Sequence, residues 1–519
     1  MRSTVRLRIL ITCGVLVAAG LGGWQLLPSD EARTDAITVG TTDEVTSLDP
    51  AGAYDAGSWA LYSNVFQSLL TFKTGFTTPV PDAAESCKFV GAKLSTYRCE
   101  LRDDLTFANG RKVTAEDVKY SFERMLRIKT DVGPQPLFPT LKNVVAEGRT
   151  VTFNLSGRDA TFPLKLATGA GSIVDRSQYP AGALRVGNAV DGSGPYVLKE
   201  YKPGESARLE PNPHYKGAIT KAGGPVLVKY FTESERLATA WRNKQVDVTH
   251  RQMPPKFLSD LGSTKATSGR ITEAESPEIR NLNFNVRSGS PMAEKAVRQA
   301  VAAVIDRPAI VTGAYQGTVE PLYSLIPQGF IGHSTAFYDA YPDPSAKKAK
   351  SLLREADVET PVTFTLGYRK DATYGAEAAE LKRQLEATGL FEVEVVAAEW
   401  KDFQKAYAKG EYDAYTVGWL PDFPDSDSFT APLVGTGNTL HNGFSSRKVD
   451  SLIAATQQYS DRGAASNDFE AIQLEVAKDV PLVPLWQKKD YVLATDDVAG
   501  SQYLTDGTGI WRLWELDWI

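Results

Sequence analysis

The stretch LTFANGRKVTAEDVKYSFE occupies residues 105–123, and its second half carries the clearest local instruction in the chain. Thr114 can cap the start of a helix, and Asp117, three residues on, can return a carboxylate to the cap residue. Val113 is placed to staple Val118 across the first turn. The spacing predicts a helix over Val113–Leu126 whose inward stripe is Val118, Phe122, Met125 and Leu126. Those four are core, not site.

Working outward, helical and strand signals alternate along the chain. Ile37–Gly40 is a short strand, and Ser58–Leu70 has Leu61, Val65, Phe66 and Leu69 at helical spacing. A second helix is expected over Met292–Ile305, with Val297, Val301, Val304 and Ile305 inward, before Pro308 interrupts the hydrogen bonding. A third follows Pro344 and buries Leu352 and Leu353. Val226–Val228 and Phe391–Val396 are strands lying between helices. From Ala36 onward there is no second long apolar run, no low-complexity tract and no fixed repeat. The mixture indicates α/β architecture.

The whole chain has 519 residues, enough for two or three packed units. Apolar residues make up 42% and charged residues 23%, the balance of a folded globular protein. A net charge of -6 gives no basic field, so nucleic acid is not an expected partner. At the N-terminus, Arg2, Arg6 and Arg8 precede an uncharged run from Ile9 to Leu27. Such a segment reads as an export signal or an anchor. Its 19 residues would span roughly 28 Å as a helix, while Ala18 and Gly20 suit a cleavage site, so both readings stand. Lipidation of Cys13 is a poorer fit. The other two cysteines, Cys87 and Cys99, flank Gly91 and strand-like residues such as Phe89, Val90, Thr96 and Tyr97. That pattern reads as a hairpin stapled by a disulfide in an oxidising compartment, with two buried free thiols as the alternative.

Catalytic patterns are scarce. The four histidines, His214, His250, His333 and His441, form no zinc-binding helix motif, so neither a metal nor another cofactor is expected. No Gly-x-Ser-x-Gly elbow and no Gly-Lys pair occur, which excludes the usual serine hydrolase and phosphate-loop signatures. Gly192 and Gly194 are too short a motif for a dinucleotide. Asp422, Asp425 and Asp427 fall within six residues, without the spacing of a calcium loop, and their commoner reading is a solvated acidic turn. Gly418 and Trp419 just before them suggest instead a pocket for something cationic and flat.

In order along the chain, these residues resemble the extracellular solute-binding proteins of the peptide/nickel class, the dipeptide- and oligopeptide-binding proteins of ABC importers. Ser47–Pro50 resembles the opening segment, and 105–123 the most recognisable motif. Gly192–Tyr196, Pro211–Gly217, Asn283–Asn285 ahead of Val297–Ala300, Ile305–Arg307, Gly418-Trp419 with Asp422, and Val480–Leu485 continue the series. The resemblance implies a two-lobed periplasmic-binding-protein-like fold with an extra domain inserted in the first lobe, closing around ligand. The division expected is 1–35 signal or anchor, 36–72 lobe I, 73–194 inserted domain, 195–280 lobe I, 281–488 lobe II, and 489–519 lobe I again.

The same resemblance implies a function: no catalysis, but capture of a peptide or similar amine-bearing polar solute and delivery to the permease subunits of an ABC importer. The chain would act outside the cytoplasmic membrane, as a monomer. Asp422 corresponds to the aspartate that pairs with a ligand's terminal ammonium, and Trp400 and Trp419 to aromatic walls of the cleft. As ordinary tryptophans, those two would simply be core. Where oligopeptide binders carry arginines, this sequence aligns Tyr407 and Thr416, so a ligand carboxylate would not be read there. Relatives that take nickel chelates, haem, sugars or opine-like compounds keep the cargo open. A secreted hydrolase, or a ligand sensor reusing the cleft, is the competing reading.

Overall fold

The structure, a computed structural model, describes residues 35–519 apart from 129, 131, 221, 222 and 264–268. The expected export segment and Cys13 lie outside the described residues. Among the described residues no helix is long and apolar enough to cross a membrane.

An 11-stranded mixed sheet organises the chain. From one edge its order is Phe391–Ala398, Val362–Arg369, Ala414–Trp419, Arg270–Phe284, Leu482–Ala494, Val248–His250, Ile37–Thr41, Val226–Tyr230, Ser206–Pro211 and Tyr196–Lys202. Val319–Pro321 pairs with Leu482–Ala494 off this path. Ile37–Thr41 is flanked by parallel partners on both sides, and its residues are buried at every position but Thr38, as a strand covered on both faces must be. At the other end Val362–Arg369 is likewise parallel to both neighbours.

Between these two halves run the long strands Arg270–Phe284 and Leu482–Ala494, antiparallel to one another from Arg270 opposite Ala494 to Asn283 opposite Leu482. Their register slips between Glu275 and Ile279 and again between Arg280 and Asn281. Each half has its own apolar core. One contains Val39, Val228 and Leu513, the other Ile279, Phe364, Leu381 and Leu485. Two bodies joined by two crossing strands make the fold two-lobed.

A separate four-stranded antiparallel sheet, Ala84–Phe89, Thr96–Leu101, Thr150–Leu155 and Leu141–Glu147 in that order, packs with helix Ala115–Arg127. Asp117 accepts from the Thr114 backbone N–H at 2.9 Å and from its hydroxyl at 2.7 Å, closing the predicted capping arrangement. Val118, Phe122 and Met125 are buried and Leu126 half-buried. The stripe also buries Arg124, whose guanidinium grips Asp49 at 2.7 and 2.6 Å with both side chains almost wholly enclosed. This pair ties the inserted sheet to the first lobe, and the two share one continuous core. Cys87 and Cys99 face each other across the first hairpin and are joined by a disulfide. Gly192 and Gly194 serve close approach: a Cβ on Gly192 would sit 1.9 Å from the Val65 carbonyl oxygen.

Three local expectations differ. The helix expected over Ser58–Leu70 runs Ala56–Val65, because Phe66 turns extended and Leu70 begins a strand. The expected Met292–Ile305 helix is the tight turn Pro291–Ala293 followed by Lys295–Ala302. Pro308 does not merely break that helix; it opens the next, Arg307–Gly313, where its missing N–H costs nothing and Asp306 caps from the preceding position at 2.9 Å. The helix after Pro344, Ala346–Glu355, forms with Leu353 buried and Leu352 half-buried.

Urea unfolding of Arg124→Ala is expected to lose about 3–5 kcal/mol, since Asp49 would be left as a buried unpaired charge. Replacing both Cys87 and Cys99 by serine is expected to cost about 3 kcal/mol from loop closure. Losses under 1 kcal/mol would contradict either account.

Candidate ligand-binding site

In open α/β sheets, ligands gather outside the carboxyl ends of parallel strands. Here such ends from both halves point at one another. Ile37–Thr41 runs into Thr42, Asp43 and Glu44, and Val248–His250 into Arg251. From the second lobe, Val362–Arg369 ends on Arg369, Phe391–Ala398 leads to Trp400, and Ala414–Trp419 leads to Asp422. All of these residues line a single cleft of about 1890 Å³, measured with its open mouth. Asp422, Trp419, Trp400, Tyr407 and Thr416, the five residues singled out from the sequence, all fall on its wall.

The acidic turn is not solvated. Asp422, Asp425 and Asp427 are 8%, 7% and 2% exposed. They are enclosed because the turn lies in the seam between the lobes, and Phe423 beside them is buried in the first lobe's core. Asp425 is paired with Arg462 at 2.8 and 2.9 Å, and Asp427 accepts from Thr456 and Gln457. Asp422 accepts from the hydroxyl of Tyr54, a first-lobe residue, at 2.6 Å, while its own N–H donates to Ser428 Oγ. Burial pushes the Asp422 carboxyl up to about 7, against the lowering effects of Tyr54 and of Lys165. Asp427 is pushed up to about 6, again mainly by burial. Among the described residues, no group of three or more His, Cys, Asp or Glu is placed to hold a metal ion.

The aromatic walls differ in exposure. Trp419 is half-buried, its indole N–H donating to Ser428 O at 2.7 Å. Trp400 begins helix Trp400–Lys409 and is also half-buried, so neither tryptophan is fully enclosed core. Tyr407 is mostly buried, stacked on Tyr415 at 5.0 Å, and burial pushes its hydroxyl up to about 12. Thr416 is fully buried, and its hydroxyl accepts from Arg280 at 2.9 Å. It therefore positions Arg280 more than it offers a contact of its own.

The cations of the cleft sort by their partners. Arg280 pairs with Glu377 at 2.9 Å, and Glu377 is further held by Tyr315 and Trp486, each at 2.8 Å. Arg251 pairs with Asp43 and Glu278, and Lys488 with Glu278 and Asp490. Arg369 differs: among the described residues it has no carboxylate partner, and its guanidinium lies 5.7 Å from the Trp400 ring centroid. Sequence reading missed Tyr54, Arg251, Arg280 and Arg369. Arg369 had a usable signal, since it is the last residue of an alternating strand, VTFTLGYR; Tyr54 had none, because it reaches the site from 368 residues away.

Two lobes, an inserted domain and a walled polar cleft between strand ends define a two-lobed binding protein. The chain belongs to the bacterial extracellular solute-binding proteins, family 5, whose model matches residues 78–440. It is 27% identical over 486 residues to a probable D,D-dipeptide-binding periplasmic protein of Escherichia coli K12, covering 90% of this chain and 91% of that one. The fold matches an ABC transporter-associated periplasmic binding protein from Helicobacter pylori, solved with the peptide STSA, at a TM-score of 0.82 and 20% identity, over 93% of this chain and 98% of that one. It matches the Escherichia coli murein tripeptide binding protein at 0.80 and 20% identity, over 92% and 97% of the two chains. Against an unliganded open form of a murein tripeptide binding protein the score falls to 0.65, at 20% identity over 92% and 98%. Members of the family are solute-binding proteins rather than enzymes.

The raised Asp422 has a consequence for stability with a definite sign. The folded form binds this proton more tightly than the unfolded chain, so stability falls as pH rises from about 4 to 7 and is level above. Asp422→Asn is expected to remove that loss and to exceed the ligand-free parent by about 2–4 kcal/mol above pH 7. Chemical denaturation at pH 5 and pH 8 checks it, and equal stabilities at both values would count against a buried titrating carboxyl.

Proposed function

We propose that the cleft binds a short peptide with both termini free, a dipeptide in the simplest case, and that the protein passes it unchanged to the permease of the importer. Asp422 takes the terminal ammonium, and Arg369 takes the terminal carboxylate. Trp400 and Trp419 flank the chain between them, and Tyr407 closes the floor. The observation that carries this reading is that Asp422 and Arg369 line one cleft and that, among the described residues, neither has an ion-pair partner. The cations at its deep end already have partners: Arg280 pairs with Glu377, and Arg251 and Lys488 pair with Asp43, Glu278 and Asp490. A carboxylate shut in a dry seam gains most from a cation, and a guanidinium on a tryptophan face is suited to a planar carboxylate.

The names of relatives agree with this choice, since dipeptide-binding proteins of Escherichia coli and Pseudomonas aeruginosa align over most of the chain. The register slips beside Arg280, and the pairing of Val248 with Ala494, support dividing the lobes near residues 280 and 488, with 73–194 as the inserted domain. Export, monomeric state and location at the outer face of the cytoplasmic membrane or in the periplasm complete the proposal.

Calorimetry with Ala-Ala, its N-acetyl form and its C-terminal amide is the test. Ala-Ala is expected to bind and the N-acetyl form not to. Asp422→Ala is expected to weaken Ala-Ala by about 2–5 kcal/mol, and Arg369→Ala to weaken it while leaving the amide unaffected. Affinity for Ala-Ala should fall as pH drops below about 7, because the ammonium must then displace a proton from Asp422. Equal binding of the free and acetylated peptides would defeat the assignment, and recovery of hydrolysed alanine would favour the enzyme reading.

A further inference from the structure

Tyr54 lies between the turn Pro50–Gly52 and helix Ala56–Val65, on the first-lobe side of the cleft. Its ring is braced by Trp59 at 5.2 Å and meets the edge of Trp419 at 6.5 Å, so the hydroxyl is aimed rather than free. It donates to Asp422 Oδ2 across the seam at 2.6 Å. Burial and the neighbouring carboxylate hold the phenol far above its ordinary range, so it remains protonated and serves Asp422 as a donor. Two further contacts cross the same seam. Phe423 is buried in the first lobe's core, and the Ala160 N–H donates to Gln457 O at 2.9 Å. Because the chain passes between the lobes on the two crossing strands, rotating the lobes apart breaks all three.

We propose that Tyr54 is a positioning residue that couples arrival of the ligand's ammonium at Asp422 to closure of the lobes. This rests on Asp422 being the ammonium site. A hydrogen bond to an ionised carboxylate is shorter and about twice as strong as one between neutral groups. In the ligand-free cleft near neutral pH, Asp422 is protonated for a substantial part of the time. An incoming ammonium fixes it as the carboxylate, and the Tyr54 bond strengthens at that moment. The bond exists only with the lobes shut, so the whole gain falls on the closed state, which is the differential interaction a ligand needs to shift a two-state equilibrium.

The other charges around Asp422 are fixed by partners of their own. Lys165 faces it from the first-lobe side and is held by Asp159 at 2.8 Å; Asp425 on the same turn is held by Arg462. Asp427 accepts from Thr456 and Gln457 and makes no contact with Tyr54, so its contribution is common to the parent and a Tyr54 variant.

Tyr54→Phe removes the hydroxyl and keeps the ring. Ala-Ala binding is measured from pH 5.5 to 8.5 by calorimetry and stopped flow, and closure by the radius of gyration in small-angle scattering. The expected result is about a ten- to hundredfold loss of affinity, expressed in faster dissociation. The midpoint of the pH profile should move upward, because the hydroxyl no longer favours the ionised form. A merely structural role would lower the melting temperature without moving that midpoint. Parental affinity and midpoint in Tyr54→Phe, alongside lost binding in Asp422→Asn, would overturn the coupling and leave the ammonium site standing. Unchanged binding in Asp422→Asn would instead defeat the site itself. Should the parent not bind Ala-Ala, the ligand-free proteins decide at pH 8.5: the parent is expected to be the more closed, and identical scattering curves overturn the proposal.

Discussion

The relation between the lobes rests on two long strands, Arg270–Phe284 and Leu482–Ala494, which cross from one half of the sheet to the other and slip register where they do so. On either side the cores are separate apart from Phe423, which reaches across the seam into the first lobe's core. What remains to set the open or closed arrangement is the surface where the lobes meet. A hinge of this kind converts a small difference in interaction at the seam into a large difference in shape. The slips leave the strands paired on both sides, so bending there need not break either core.

The seam is built from groups that resist drying. Three carboxylates of one turn are enclosed in it, and burial raises two of them towards or into the neutral range. Taken alone, such a surface would favour opening, because water solvates an ionised carboxylate better than a protein interior does. The opposing contributions are local: Phe423 buried in the first-lobe core, Arg462 on Asp425, and Tyr54 on Asp422. A guest that supplies the missing cation changes this balance most where the carboxylate has the fewest partners, and that is Asp422. The cost of burying the charge is thereby what makes closure responsive to a ligand instead of spontaneous.

Much of this was legible in the residues. The capping pattern at Thr114 and Asp117 gave its helix, and the Cys87 and Cys99 hairpin was visible from strand-like residues around a glycine. All five residues singled out for the site reach the cleft wall. The failures share a physical cause. Local propensity does not register contacts between distant segments, so Ser58–Leu70 looked helical throughout, although Leu70 is taken by a strand and Phe66 turns extended. The acidic turn looked solvated because three carboxylates within six residues ordinarily face water. It is buried by Phe423 and by the opposing lobe, neither of which charge spacing reveals. Tyr54 was invisible for the same reason, and so was the pairing of Arg124 with Asp49, 75 residues away.

Thr416 shows how a departure from a family pattern is absorbed. Where relatives implied an arginine, the chain has a small hydroxyl, and the space beside it is occupied by Arg280 from the crossing strand, one pairing position across at Gly418. That guanidinium is bound to Glu377, which Tyr315 and Trp486 also hold, and it lies 3.9 Å from the Tyr374 ring centroid. A cation so fully partnered is a structural pin: it fixes the crossing strand against helix Ala372–Glu386 and has little left to offer a guest. Positive charge for a ligand must come from a residue that the fold has not already used. Arg369 satisfies this because its strand ends at the cleft without an ion-pair partner among the described residues, and parallel pairing with Phe391–Ala398 holds that end in place.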